Sequence, residues 1–119
     1  HPNMKLPEVD KTRVSQHVDI LPTLLDMFKI EDPAKIRFGK SVFAPEETYA
    51  TILYDKTLVY KDKKNIITMM NDDFKFYAPT DLEFNNPIKG DGALKALLQF
   101  KSTIQYYNNG LTENHLYFP

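Results

Sequence analysis

Histidines and neighbouring carboxylates are the side chains of this sequence that could carry chemistry. Three histidines, His1, His17 and His115, are scattered along 119 residues. No two stand four apart, the spacing that puts a pair of imidazoles on one helix face for zinc. Each reads more simply as a surface or hydrogen-bonded histidine than as a metal ligand. His17 is the one substrate-pocket candidate, because it flanks a turn leading into an apolar helix, where its imidazole can reach a neighbouring cleft. Carboxylates pair at Glu46-Glu47 and Asp72-Asp73. Adjacent side chains diverge along an extended chain, so these pairs read as solvated turns rather than acid/base couples. Gly39-Lys40-Ser41 carries the closing letters of a phosphate-binding loop, but the first glycine of that motif would fall on Ala34. Cysteine is absent, which excludes disulfides, thiolate ligands and a thiol nucleophile. The residues by themselves nominate no catalytic group and no metal ligand.

Two patches admit more than one reading. Lys61-Asp62-Lys63-Lys64, interleaved with Tyr54, Tyr60 and Phe74, suits a nucleic acid or a lipid headgroup, or simply a solvated hairpin tip. Fifteen basic against sixteen acidic residues give a net charge of -1, without the positive field that nucleic-acid binding relies on. Tyr106-Tyr107 suits a membrane interface or packing on a sheet. No apolar run approaches the roughly 20 residues of a membrane-spanning helix. His1-Pro2-Asn3 shows neither an initiator Met nor a signal-peptide pattern, so the chain is expected to be a piece of a longer precursor.

The elements that would position these residues follow from periodicity. Residues 1–13 are polar and read as a surface loop. Val18, Leu21, Leu24, Leu25 and Phe28 form one face of an amphipathic helix. Pro22 confines it to a turn at Val18–Leu21 and a helix over 22–28, with Asp19 as the expected cap and Asp32-Pro33 as the stop. From residue 49 the period changes to two. Tyr49–Tyr54, Leu58–Tyr60, Ile66–Met70 and Phe74–Tyr77 predict an antiparallel meander with one solvated face, joined by polar turns of hairpin length. A last helix is expected between Asp91, its cap, and Asn109-Gly110, its stop. Ala93, Leu97, Phe100, Ile104 and Tyr107 line its apolar stripe, widened by Leu94 and Leu98, and would lie on the sheet. The fold class is therefore α+β: a small four-stranded antiparallel sheet, a C-terminal helix packed on one face, and a helical segment ahead of both.

The run Gln16-His17-Val18-Asp19-Ile20-Leu21-Pro22-Thr23-Leu24-Leu25-Asp26-Met27-Phe28-Lys29-Ile30, followed by Phe38-Gly39-Lys40-Ser41-Val42-Phe43, resembles the late segment of sulfatases and their relatives. The family pattern is roughly V-D-I-x-P-T-L-L-D-x-x-G-I, then a loop and F-G-x-S-L. Lysine at position 29 departs from its glycine. Tyr60-Lys61 and Phe76-Tyr77-Ala78-Pro79-Thr80-Asp81-Leu82-Glu83-Phe84-Asn85-Asn86 are similar to the family's closing stretch, without the proline of its D-P-x-E-x-x-N. The resemblance implies an alkaline-phosphatase-superfamily parent holding a divalent metal (Mn, Mg, Ca or Zn) upstream, with no cofactor in this fragment. The Gln-x-x-Asp-Ile string and the Tyr-rich last helix lean toward lipoteichoic-acid-synthase-like phosphoglycerol transferases, with sulfate-ester hydrolases or a non-catalytic interaction module as alternatives. On this reading residues 1–45 are the tail of the catalytic core and 46–119 a C-terminal subdomain. The implied partners are the upstream catalytic domain and, through the parent, a phosphoglycerol lipid or sulfate ester, with no nucleic acid. The implied location is the extracytoplasmic face of a bacterial membrane or the periplasm.

Overall fold

The structure is a computed structural model that describes residues 5–31 and 38–113. His1, His115 and the Asp32-Pro33 stop lie outside those residues. A 3-10 turn at His17–Asp19 runs into helix α1, Ile20–Met27. Pro22 falls within the first turn of α1, where its missing N–H breaks no helical bond. The helix ends sooner than Asp32. The Lys29 N–H bonds Asp26 and the Ile30 N–H bonds Leu25, while Lys29 takes a φ of 55°. That is the Schellman ending usually built on glycine, here carried by lysine.

Four strands follow: β1 Ala50–Tyr54, β2 Thr57–Lys61, β3 Ile66–Met70 and β4 Asp73–Tyr77. They pair as an antiparallel sheet in chain order, with Ile52 opposite Val59, Tyr60 opposite Ile67, and Ile67 opposite Phe76. Asp55-Lys56 and Asn71-Asp72 make the two tight turns. All four residues have positive φ, as two-residue hairpins of matching twist require. The wider Asp62–Asn65 turn is closed by the Asp62 carboxylate, which accepts the N–H groups of Lys64 and Asn65.

Helix α2, Leu94–Thr112, covers one sheet face. Its Ala96 and Phe100 pack with Tyr60 and Ile67, and Tyr49, Leu58, Phe74, Phe76 and Ile104 close around them. Phe100 and Ile67 are wholly buried, which makes this layer the main core. Two expectations need correction at its ends. Ala93, not Asp91, stands at the start, with no side-chain cap, and the helix passes through Asn109-Gly110. Gly110 is buried within the helix. Leu94 and Leu98 face solvent instead of widening the stripe. Nor is the second sheet face simply solvated: Val59, Ile66 and Tyr77 are buried there with Phe84 packed on them.

Candidate functional site

The segment that resembles the sulfatase pattern is best understood by what its polar side chains hold. Asp19, Thr23 and Asp26 recur at intervals of four and three, which places them on one helix face. All three grip the loop 39–43. One carboxylate oxygen of Asp19 accepts the Lys40 N–H at 2.9 Å and the other accepts the Gln16 N–H at 2.9 Å. The Thr23 hydroxyl donates to the Asp19 carbonyl at 2.6 Å and accepts the Val42 N–H at 3.0 Å. The Ser41 hydroxyl donates to Asp26 at 2.6 Å. Asp19 thus stands at the N-cap position of α1, but its side chain makes no cap bond to that helix. It is 3% exposed and spends its two oxygens on the backbone N–H groups of Gln16 and Lys40, so neither caps α1. Gly39 lies directly on the turn: a Cβ there would sit 1.9 Å from the Val18 carbonyl oxygen.

The same segment is tied to the sheet. Gln16 completes the edge of β1 as a neighbouring strand would, its amide donating to the Tyr49 carbonyl and accepting the Thr51 N–H. The Thr48 hydroxyl donates to the Val14 carbonyl. Arg13 binds three carbonyls with its fork, those of Ser41 at 2.9 Å, Ala44 at 2.5 Å and Glu46 at 3.2 Å. Phe38 sits edge-on to Tyr106 and Tyr107 of α2, with ring centres 5.6 and 5.5 Å away. Those tyrosines therefore pack on the loop rather than on the sheet.

His17 lies on the 3-10 turn and is exposed. It is not among the residues lining the cleft beside that turn, which belongs to Ser15, Gln16, Asp19, Ile20, Thr23, Leu24 and Val42. The acidic pairs do not converge either. Asp72 and Asp73 form a turn and strand start, while Glu46 and Glu47 rim a cleft of about 240 Å³ with Glu8, Asp10, Arg13 and Lys63. Within that cleft Asp10 pairs with Lys63. The hydrogen bond from Lys63, with further bonds from Thr12, holds the Asp10 carboxyl well below the usual carboxylate range. Of the lysine-rich turn, Lys63 binds Asp10, and Lys61 donates one bond to the Pro79 carbonyl. Among the described residues no three His, Asp or Glu side chains could hold a metal ion. Arg13, Gln16, Thr23 and Asp26 are the organising residues that apolar periodicity overlooks. The i, i+4, i+7 spacing of Asp19, Thr23 and Asp26 was the available signal.

Comparison with protein-family models, with curated proteins and with solved structures finds no match for this chain.

Proposed function

We propose that the chain is the C-terminal part of a sulfatase-like, metal-dependent enzyme of the phosphoglycerol transferase branch. It supplies structural support and a pocket wall rather than reacting groups. The observation that carries this reading is the double character of the α1 segment. Its polar face is fully used in fixing loop 39–43, whereas no residue of α1 is buried. Val18, Ile20, Leu21, Leu24 and Phe28 are each between 42% and 57% exposed. A helix this apolar on its outer side belongs against a further layer of protein, and the resemblance identifies that layer as the catalytic core. Held in that core, a divalent metal would stabilise charge on the transferring phosphoryl oxygens and activate the nucleophile. The role left to this chain is positional. Asp19, Thr23 and Asp26 fix the loop, Arg13 holds the carbonyls of Ser41, Ala44 and Glu46, and Gln16 ties the turn to β1, so that the subdomain forms one rigid border of the site. The substrate is a phosphoglycerol lipid at the outer face of a bacterial membrane.

The test compares this 119-residue chain with the longer polypeptide encoded by the same reading frame, using phosphatidylglycerol and an aryl sulfate with added manganese, magnesium, calcium or zinc. Metal-dependent release of diacylglycerol by the longer protein, with none by the short chain, is the expected result. Turnover of the aryl sulfate alone transfers the assignment to the hydrolases. Metal-dependent turnover by the short chain overturns the reading altogether.

A further inference from the structure

The sheet face turned away from α2 holds a groove of about 210 Å³ lined by Ala50, Ile52, Val59, Ile66, Leu82, Phe84 and Lys61. Val59 and Ile66 are buried, while Ile52 and Leu82 stand as lips, 55% and 66% exposed. The wall is built at a cost. Phe84 has a φ of 60°, a region in which a bulky aromatic is strained. The Asp81 carboxylate sustains that conformation by accepting the N–H groups of Asn85 and Asn86 at 3.1 and 2.8 Å. The Phe84 ring is thereby held 5.4 Å from that of Tyr77.

Lys61 is the one charged residue in this lining. Its Nζ donates to the neutral Pro79 carbonyl at 2.8 Å, which leaves two N–H bonds for a ligand. Among the described residues no carboxylate forms an ion pair with it. Hydrocarbon walls with one ammonium that no carboxylate pairs complement a hydrocarbon chain that ends in an anion. We infer that this groove binds the alkyl chain of an anionic lipid, with Lys61 receiving the charged head. Its volume is below the roughly 300–1,000 Å³ of pockets that enclose a whole drug-sized ligand, so it takes a length of one chain rather than a two-chain lipid. A peptide fits less well, because its backbone polar groups would face apolar walls with a single donor for company. The inference does not depend on the enzymatic reading above, since binding is measured without turnover.

The experiment is an NMR titration of the chain with dodecyl phosphate, kept below its micellar concentration. Shifts confined to Ile52, Val59, Ile66, Leu82 and Phe84 are expected, with none on adding inorganic phosphate. Dodecyl maltoside, which has the same tail and a neutral head, should bind about tenfold more weakly. Lys61→Met should weaken dodecyl phosphate by a similar factor and Lys61→Arg should restore it. Leu82→Asp, at an exposed position that folding does not rely on, should abolish binding. Equal affinity for the neutral detergent, or shifts centred elsewhere, overturns the inference. So does a dimer in sedimentation that Leu82→Asp dissociates, because the groove then belongs to a second copy.

Discussion

At the scale of single residues, Lys29 and Asp19 pull stability in opposite directions. Lys29 closes α1 with a φ of 55°, where a side chain costs about 1–2 kcal/mol and glycine costs almost nothing. Lys29→Gly should raise unfolding stability by about 1 kcal/mol in urea, and an unchanged or lowered midpoint would contradict the Schellman ending. Asp19→Ala removes the acceptor of two backbone N–H groups at a buried site and should cost roughly 2–3 kcal/mol. The same substitution at an ordinary exposed cap would cost about 1. Tyr60 adds a pH dependence. Burial, followed by the nearby Asp62 charge and its hydrogen bond, pushes the phenol above its ordinary value. A raised folded pKa means that the stabilisation is complete below about pH 10, the unfolded tyrosine value, and is lost as pH rises toward the folded one. Wild-type stability should therefore fall as pH rises above about 10, and Tyr60→Phe should fall less over the same range; parallel curves would remove Tyr60 as the cause.

At the scale of elements, what could be foreseen separates along a physical line. Alternating Val, Ile, Tyr and Phe between polar turns located all four strands to within about two residues, because each strand's pattern is set by its own neighbours. Helix ends were harder. Asp19 and Asp91 are plausible caps in sequence, yet Asp19 is drawn away by the Lys40 N–H, twenty-one residues distant, and Gly110 stays inside α2. Such outcomes depend on partners remote in the chain, which local spacing does not encode. The contact between the 3-10 turn and loop 39–43 is the same kind of long-range fact, and Gly39 is its most exacting point. A Cβ 1.9 Å from a backbone oxygen forces the loop off the turn. Gly39→Ala should thus disturb the amide shifts of Lys40 and Val42 together with those of Val18 and Asp19, and destabilise the chain more than any exposed Gly→Ala change. Shifts confined to position 39 would show that the two segments are not clamped.

At the scale of the whole molecule, stability is unevenly distributed, and the distribution bears on function. The strands and α2 share a core in which Phe100 and Ile67 are fully buried. Helix α1 has 8 residues and buries none of them, although its length is well short of the ~12–15 residues at which an isolated helix becomes even marginal. Besides the partial burial of Leu25 and Met27, the polar ties from Asp19, Thr23 and Asp26 to loop 39–43 hold it in place. Local opening of α1 should therefore cost much less than global unfolding. Hydrogen exchange on the 119-residue chain should find the amides of Leu24–Phe28 exchanging at least tenfold faster than those of β2 and β3. In a longer polypeptide that supplies the catalytic core, the same amides should slow toward the rate of the strands, since the apolar side of α1 is then covered. Slow exchange of α1 in the short chain would mean that the helix needs no further layer, and would remove the main physical support for an enzyme built around it. Protection that appears only in the longer protein would tie the exposed Ile20, Leu21, Leu24 and Phe28 to the proposed further layer.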